Sequence, residues 1–462
     1  MKRIESFLNS GLYIFIIFTI TMISWSFYKE TPPFDFNQYN MMGVFLLILI
    51  STFILIFFEN TLYLLPVLIS FLFIINKSDM TFDTLTSMGF PIAALTLIFS
   101  GFLIHIIRFK TKFKQKKFYI GFFLIATAYL APLIYIPFDI RSIPVSITAV
   151  LYLFAYVFLS NSMKGNLNYL FKVMLFANLL LTAEVFFYIY QGYLLYPEMD
   201  FYHRIFQGWN RNLGWANIND MCFYISLTFP SYLYFIFKKP STYLTWFLMI
   251  FPVIAVLLSK SRGGMVGFAV VAGGVFLFFL LKGNKKHLTH GLIFLAFTAL
   301  LFYLNREILY LWYDELIQSL GTDLNSFSSN RIYIYTEGLK IFREYPLFGG
   351  GWISIYSFPF AGRIFMFHST FIQALAAMGL YGLFALFVHY YQIGNFMIRK
   401  LNLEKSLFLI GYLATQIHGL IDNVQFSVPY SSLIVLFLAT WETSELETSF
   451  TLVNHRYHII ET

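Results

Sequence analysis

The chain has 462 residues, 58% of them hydrophobic and only 12% charged. Soluble domains carry about 25% charged residues, and apolar runs of membrane-spanning length recur from end to end, so a water-soluble fold is excluded. The formal net charge of +8 is explained by the side of the membrane on which the basic loops fall, which removes the case for a nucleic-acid partner.

Fourteen apolar runs follow one another, near 11–28, 41–58, 61–75, 89–107, 118–136, 143–160, 173–190, 221–237, 241–258, 263–281, 288–304, 370–390, 405–420 and 425–441. Most approach the roughly 20 residues that cross a bilayer core of about 30 Å. None alternates as a barrel strand does, so the spans are helical. The pattern predicts an all-α polytopic membrane protein with about 14 transmembrane helices (12–14). The third run is short, and a re-entrant hairpin near residues 59–60 is the alternative there. Met1-Lys2-Arg3 before the run from Gly11 has the form of a signal peptide. No small-residue cleavage site follows, so a first span is the better reading. Cys222 is the one cysteine and lies in an apolar run. It reads as a small core residue.

Arg108 to Lys117 holds six basic residues in ten and is expected in the cytoplasm. Alternation then puts Lys164/Lys172, Lys238-Lys239, Lys282/Lys285/Lys286 and Arg399/Lys400/Lys405 on the same side, with both termini. The cytoplasmic side holds 15 Lys and 4 Arg, the external side 4 Lys and 8 Arg: Arg141, Arg204, Arg211, Arg262, Arg306, Arg331, Arg343 and Arg363. The positive-inside rule predicts neither the external cations nor the switch to arginine. A planar guanidinium suits bidentate contact with phosphate, so an external anionic ligand is one reading; arginines paired with loop acids are the other. The chain divides into N-terminal spans (1–200), spans with external arginine-bearing loops (201–304), one larger external loop subdomain (305–367), C-terminal spans (368–441) and a cytoplasmic tail (442–462).

Five stretches carry chemistry. Ser259-Lys260-Ser261-Arg262-Gly263-Gly264 joins two spans. Cations, glycines and a helix N-terminus there suit an anion, or else the cations snorkel beside a helix cap. Ser328-Ser329-Asn330-Arg331 opens a helix that runs to Glu344, with Ile332, Tyr335, Leu339 and Phe342 on one apolar face. Arg331 in its first turn opposes the macrodipole, which makes sense beside an anion or a nearby acid. Pro346-Leu347-Phe348-Gly349-Gly350-Gly351 permits a tight turn or close backbone approach. His368-Ser369 precedes a span, where a histidine is suited to proton transfer or is simply structural. Arg204 to Asp220, with His203 and Trp209 beside Arg211, is rich in arginine, amides and tryptophan that suit phosphate and sugar or a membrane-interface belt. Glu184 in the seventh run, and His418 and Asp422 four apart near the thirteenth, are intramembrane candidates by default, with capping of a turn the alternative for Asp422. No residues have zinc-ligand spacing.

Ser-Arg-Gly-Gly at a span junction, Asn-Arg-Ile opening an external helix, Tyr-Pro-Leu-Phe-Gly-Gly-Gly, then His-Ser before Ala-Ala-Met-Gly-Leu-Tyr-Gly-Leu, in this order over roughly residues 210–390, resembles the core of the O-antigen ligase/polymerase family. The resemblance implies a glycosyltransferase of the GT-C-like class, without metal or other cofactor, in the bacterial cytoplasmic (inner) membrane. It implies a glycan donor on undecaprenyl diphosphate, a glycan or lipid acceptor on the outer face, and other polysaccharide-assembly proteins as partners. It assigns Arg262 and Arg331, with Arg211 less securely, to the diphosphate, and His368 to the acceptor hydroxyl. Lys260, Ser369, Glu184, His418 and Asp422 would support them. The family often has Asn where this chain has Ser369. The expected function is a polysaccharide polymerase that uses inverting transfer; a ligase moving glycan to a lipid A core, protein or other acceptor is the alternative. A flippase of lipid-linked oligosaccharide is the third reading, disfavoured by few intramembrane charges and no internal repeat.

Overall fold

The computed structural model describes residues 2–26, 38–77, 90–135, 143–195, 197–199, 218–238, 243–259, 261–318, 328–352 and 366–460. Every regular element among them is helical. The first half holds α1 (Lys2–Leu8), α2 (Gly11–Ser26), α3 (Gln38–Phe57), α4 (Leu65–Lys77), α5 (Phe90–Phe109), α6 (Tyr119–Leu130), α7 (Ile143–Ser162) and α8 (Leu167–Leu195). The second holds α9 (Ile218–Thr228), α10 (Pro230–Lys238), α11 (Tyr243–Leu248), α12 (Ile250–Leu258), α13 (Arg262–Lys282), α14 (Lys285–Leu304), α15 (Arg306–Gln318), α16 (Arg331–Glu344), α17 (Thr370–Ile398), α18 (Leu403–His418) and α19 (Val428–Ile460).

Five helices, α7, α8, α13, α14 and α17, are each long and apolar enough to cross a bilayer, and α1–α2, bent by 60°, adds a sixth as one broken span. The protein is an all-α membrane protein. Where they are described, the apolar runs fall largely on helices, several of them interrupted, and the five or six helices of span length do not establish fourteen spans. Prolines account for two of the breaks, because each lacks an N–H and its ring meets the carbonyl four residues earlier. Pro230 separates α9 from α10, and Pro252 follows the break at Met249 between α11 and α12. At the C-terminal end α19 runs without interruption to Ile460, through residues 442–460 that the sequence reads as a tail.

Two helix groups form the frame. α13 packs on α18 and α9, and α9 packs also on α18 and α8; α17 packs on α6 and α16, and α7 on α6 and α19. Large buried rings, among them Tyr156, Tyr224, Tyr430 and Trp441, fill the spaces between them.

The most consequential break lies in α17, where Gly379 has φ +63° and ψ −157°. Free amides and carbonyls at membrane depth are tolerated only when other groups satisfy them. The Pro346–Gly351 segment does this. Gly350 and Gly351 amides donate to the Ala376 and Ala377 carbonyls at 2.7 and 3.0 Å, and the Leu380 and Tyr381 amides donate to Pro346 and Leu347 at 2.9 and 3.0 Å. A Cβ on Gly349, itself at φ +75°, would stand 2.3 Å from the α17 backbone. The glycine run is therefore a clasp, backbone to backbone.

At the other end of α17, Lys405 is buried. Its Nζ donates to the Phe396 and Arg399 carbonyls at 2.9 and 2.8 Å and pairs with Glu445 at 2.6 Å. This joins the ends of α17 and α18 to α19.

Gly349→Ala and Gly379→Ala are each expected to destabilise the protein by about 2 kcal/mol or more, since each adds a positive-φ penalty to a backbone collision. Thermal unfolding in detergent reads this out; unchanged melting of both variants would contradict the clasp.

Candidate active site

Five helix ends meet at one end of the bundle: the starts of α9, α13, α16 and α17 and the end of α18. Ser261 caps α13, its Oγ accepting from the Gly264 amide at 2.9 Å. Arg262 is the first helical residue, and its guanidinium donates to the Ser329 hydroxyl. Ser329 lies two residues before Arg331, the first residue of α16. Thus two helices each begin with an arginine, and the two beginnings are tied together. A cation at a helix N-terminus is unfavourable by a few tenths of a kcal/mol or more. Two at one place are poorly explained by folding alone. Among the described residues no carboxylate lies within ion-pair distance of Arg331.

α16 matches the expected helix but buries a different face. Ile334 and Gly338 are its buried residues, whereas Ile332 is exposed. Gly338 allows the approach, since a Cβ there would lie 2.6 Å from Ile372 and 3.0 Å from Phe367. Tyr335 is not merely apolar; its hydroxyl donates to the His368 carbonyl at 2.8 Å. Burial raises the Tyr335 pKa, against the Arg331 charge, which lowers it, and with Asp422, which raises it.

His368 has φ +44°, a conformation a histidine rarely adopts. Its Nδ1 lies 3.3 Å from Asp422 Oδ1, with the imidazole 28% and the carboxylate 4% exposed. With the proton on Nδ1, the ring donates to the carboxylate and Nε2 presents its lone pair. Asp422 also accepts from the Asn423 amide at 2.8 Å through Oδ1 and from Asn219 Nδ2 through Oδ2. The Ser261 hydroxyl in turn donates to Asn219 Oδ1. One hydrogen-bonded chain therefore runs from the cap of α13 through α9 to Asp422 and His368. Burial alone would raise the Asp422 pKa, but hydrogen bonding and charge from His368, the charge of His418 and the Asn423 amide hold it below the usual carboxylate range.

The structure brings His368, Asp422, Arg262 and Arg331 into one network of neighbours. It also places the other residues named from sequence. Gly263 and Gly264 serve helix packing: a Cβ on Gly264 would meet Cys222 at 2.5 Å, and one on Gly263 would meet His418 Nε2 at 3.1 Å. α18 ends at His418 and Asp422 lies in the following turn, one of the two places the sequence left open for it. Ser369 acts through its backbone, the amide donating to Asn423 Oδ1 at 3.0 Å, and its side chain caps nothing. Glu184 is buried in α8, which packs on α9 and α12. Arg211 and Lys260 lie outside the described residues, as do His203, Arg204 and Trp209. Asn423 was not singled out from sequence, and Asn219 and Ser329 were read only as members of longer stretches; each is a small polar residue in or beside a turn, a signal too common to separate from capping.

The family model described as O-antigen ligase matches residues 247–387. The chain carries an O-antigen ligase domain. The match covers less than half of the chain, and over those residues the similarity supports a membrane glycan-processing function. No curated protein matches the chain. The matched range contains Arg262, Arg331, Tyr335, the glycine clasp and His368, whereas Asn219, His418 and Asp422 lie outside it.

Gly264→Ala is expected to push α13 from α9 and lower the melting temperature, and Cys222→Gly in the same chain is expected to restore part of the loss; two losses that simply add would contradict direct contact. A depressed carboxylate contributes stability above its unfolded pKa of about 3.9 and loses it as pH falls through the lower folded value. Melting measured from pH 7 to pH 3 should therefore fall more steeply at the acid end in the wild type than in Asp422→Asn. Equal slopes would show that Asp422 is not held ionised by this network.

Proposed function

We propose that the protein transfers an oligosaccharide from an undecaprenyl-diphosphate carrier to an acceptor hydroxyl at the outer face of the cytoplasmic membrane, as a polysaccharide polymerase. The observation that carries this reading is a histidine–aspartate pair beside two helix starts that each begin with an arginine. The matched O-antigen ligase domain supports it at the level of glycan processing.

In the proposed reaction His368 Nε2 takes the acceptor proton. The acceptor oxygen then attacks the anomeric carbon from the face opposite the carrier, with inversion. The bond from that carbon to the diphosphate oxygen breaks, and undecaprenyl diphosphate leaves. Charge builds on the departing phosphate oxygens, where Arg262, Arg331 and the α16 amides stabilise it. Arg211 is a further candidate for the same phosphates. Asp422 keeps the imidazole in the tautomer that a general base needs and stabilises the imidazolium that forms. Tyr335 fixes the strained His368 backbone. An apolar groove of about 330 Å³ between α8, α12, α14 and α15 ends at Leu257 and Leu258, just before the Ser259–Arg262 turn. It suits the hydrocarbon chain of a carrier whose diphosphate sits at Arg262.

The description of the matched domain favours a second reading, a ligase that moves the glycan to a lipid A core, a protein or another acceptor. Donor chemistry is the same in both.

Purified protein given undecaprenyl-diphosphate oligosaccharide from its own host should build a ladder of longer lipid-linked glycans. His368→Ala and Asp422→Asn should each lower turnover by about 10²-fold or more with donor binding kept, and Arg331→Ala should weaken donor binding. Carrier release only on adding another acceptor would establish the ligase, and full turnover by His368→Ala would remove the base from the scheme.

A further inference from the structure

The stretch that ends α5 and leads to α6 carries Arg108, Lys110, Lys112, Lys114, Lys116 and Lys117. The side of the membrane accounts for their sign, but not for how they are held. Between Phe109 and Tyr119 the backbone forms no helix, yet it is pinned at four points. Lys110 turns it at φ +49°, and the Thr111 amide donates to the Ile106 carbonyl at 3.2 Å. Asn161 on α7 accepts from the Lys114 amide at 3.1 Å and donates to the Lys114 carbonyl at 3.3 Å. The buried Glu442 of α19 accepts from the Lys117 amide at 2.7 Å, and the Tyr156 hydroxyl from the Phe118 amide at 3.0 Å. Glu442 thus binds backbone, while Lys110, Lys112 and Lys114 are exposed. Two further acids at this end pair elsewhere, Glu445 with Lys117 and Lys405, and Glu59 with Lys164. Among the described residues Arg108, Lys110, Lys112 and Lys114 have no carboxylate partner.

These cations stand at the edge of an apolar surface. α5 packs on α3, and the two helices leave Phe53, Phe57, Leu103, Ile104 and Ile107 exposed, Ile107 by 75%. Arg108 lies at the boundary, its guanidinium 5.6 Å from the centres of both the Phe57 and the Phe109 rings. Phe113, between Lys112 and Lys114, is 48% exposed. An aromatic ring among lysines at the end of a bare apolar surface has the composition of an interfacial lipid contact. Phe118 packs on Phe396, so the segment lies at the far end of α17 from His368.

We propose that residues 108–114 bind the head group of an anionic phospholipid in the leaflet opposite the candidate active site, with its acyl chains along the exposed side chains of α3 and α5. The phosphodiester meets Arg108 and the three unpaired lysines. A pinned backbone lowers the ordering cost that a loose loop would carry. A zwitterionic head group brings its own cation into the cluster and is disfavoured. Topology selection needs the charge alone; a lipid site needs the charge, the apolar surface beside it and the fixed backbone together.

The test titrates the full chain in detergent with phosphatidylglycerol and, separately, with phosphatidylcholine of the same acyl chains, and counts bound lipid by native mass spectrometry. Phosphatidylglycerol is expected to bind about tenfold more tightly. Lys110→Gln, Lys112→Gln and Lys114→Gln in one chain should remove that preference with thermal unfolding unchanged, since these side chains hold no other element. Raising salt should weaken phosphatidylglycerol alone in the wild type, a readout that needs no variant to fold. Equal binding of the two lipids, a preference kept by the triple variant, or a preference indifferent to salt would overturn the proposal. Displacement of phosphatidylglycerol by excess inorganic phosphate would show that a phosphate group alone is held, and would overturn the lipid assignment. None of these readouts depends on glycan transfer.

Discussion

A carboxylate with 3% of its surface exposed, Asp422, cannot remain ionised in a membrane protein without partners. The partners it has come from separate parts of the chain: Asn219 from the start of α9, His368 from the approach to α17, and Asn423 from its own turn. Satisfying this one group brings those helix ends to a single point. Asn219 extends the constraint to Ser261 and the start of α13, and Arg262 extends it through Ser329 to the start of α16. The proposed base and the proposed diphosphate clamp are thereby held in one rigid arrangement, which is what transition-state stabilisation by fixed groups requires.

The rest of the fold makes this approach sterically possible. Glycines stand wherever two elements must come nearer than a side chain allows. Gly264 meets Cys222 on α9, Gly263 and Gly267 meet His418 on α18, and Gly338 meets Phe367 and Ile372. The glycine clasp fills the break in α17 and so fixes the helix whose first turn follows His368. Lys405 secures the far end. Rigidity at the site therefore depends on glycine-mediated contacts and on a satisfied helix break, with aromatic packing between the frame helices.

Much of this was legible in residues. Runs such as Arg262–Lys282 and Lys285–Leu304 announce helices by length alone, and Arg262, Arg331 and His368 stand out because cations and a histidine next to spans are rare. Asp422 was visible as an intramembrane acid, but its partner, 54 residues away, was not. A hydrogen bond between distant turns leaves no periodicity. The breaks at Pro230 and Pro252 were readable in principle, since proline acts locally. The break at Gly379 was not, because a glycine inside an apolar run looks like any other until another backbone is found against it. The role of Gly263 and Gly264 was misjudged for the same reason: a glycine shows that something comes close, not whether it is a ligand or a helix.

A double-mutant cycle on donor turnover tests most directly whether His368 and Asp422 act as one unit. Residues that act together lose little more jointly than singly. His368→Ala with Asp422→Ala should therefore be no slower than His368→Ala alone. If the two losses multiply, the aspartate serves something other than the histidine, and its proposed part in holding the imidazole fails.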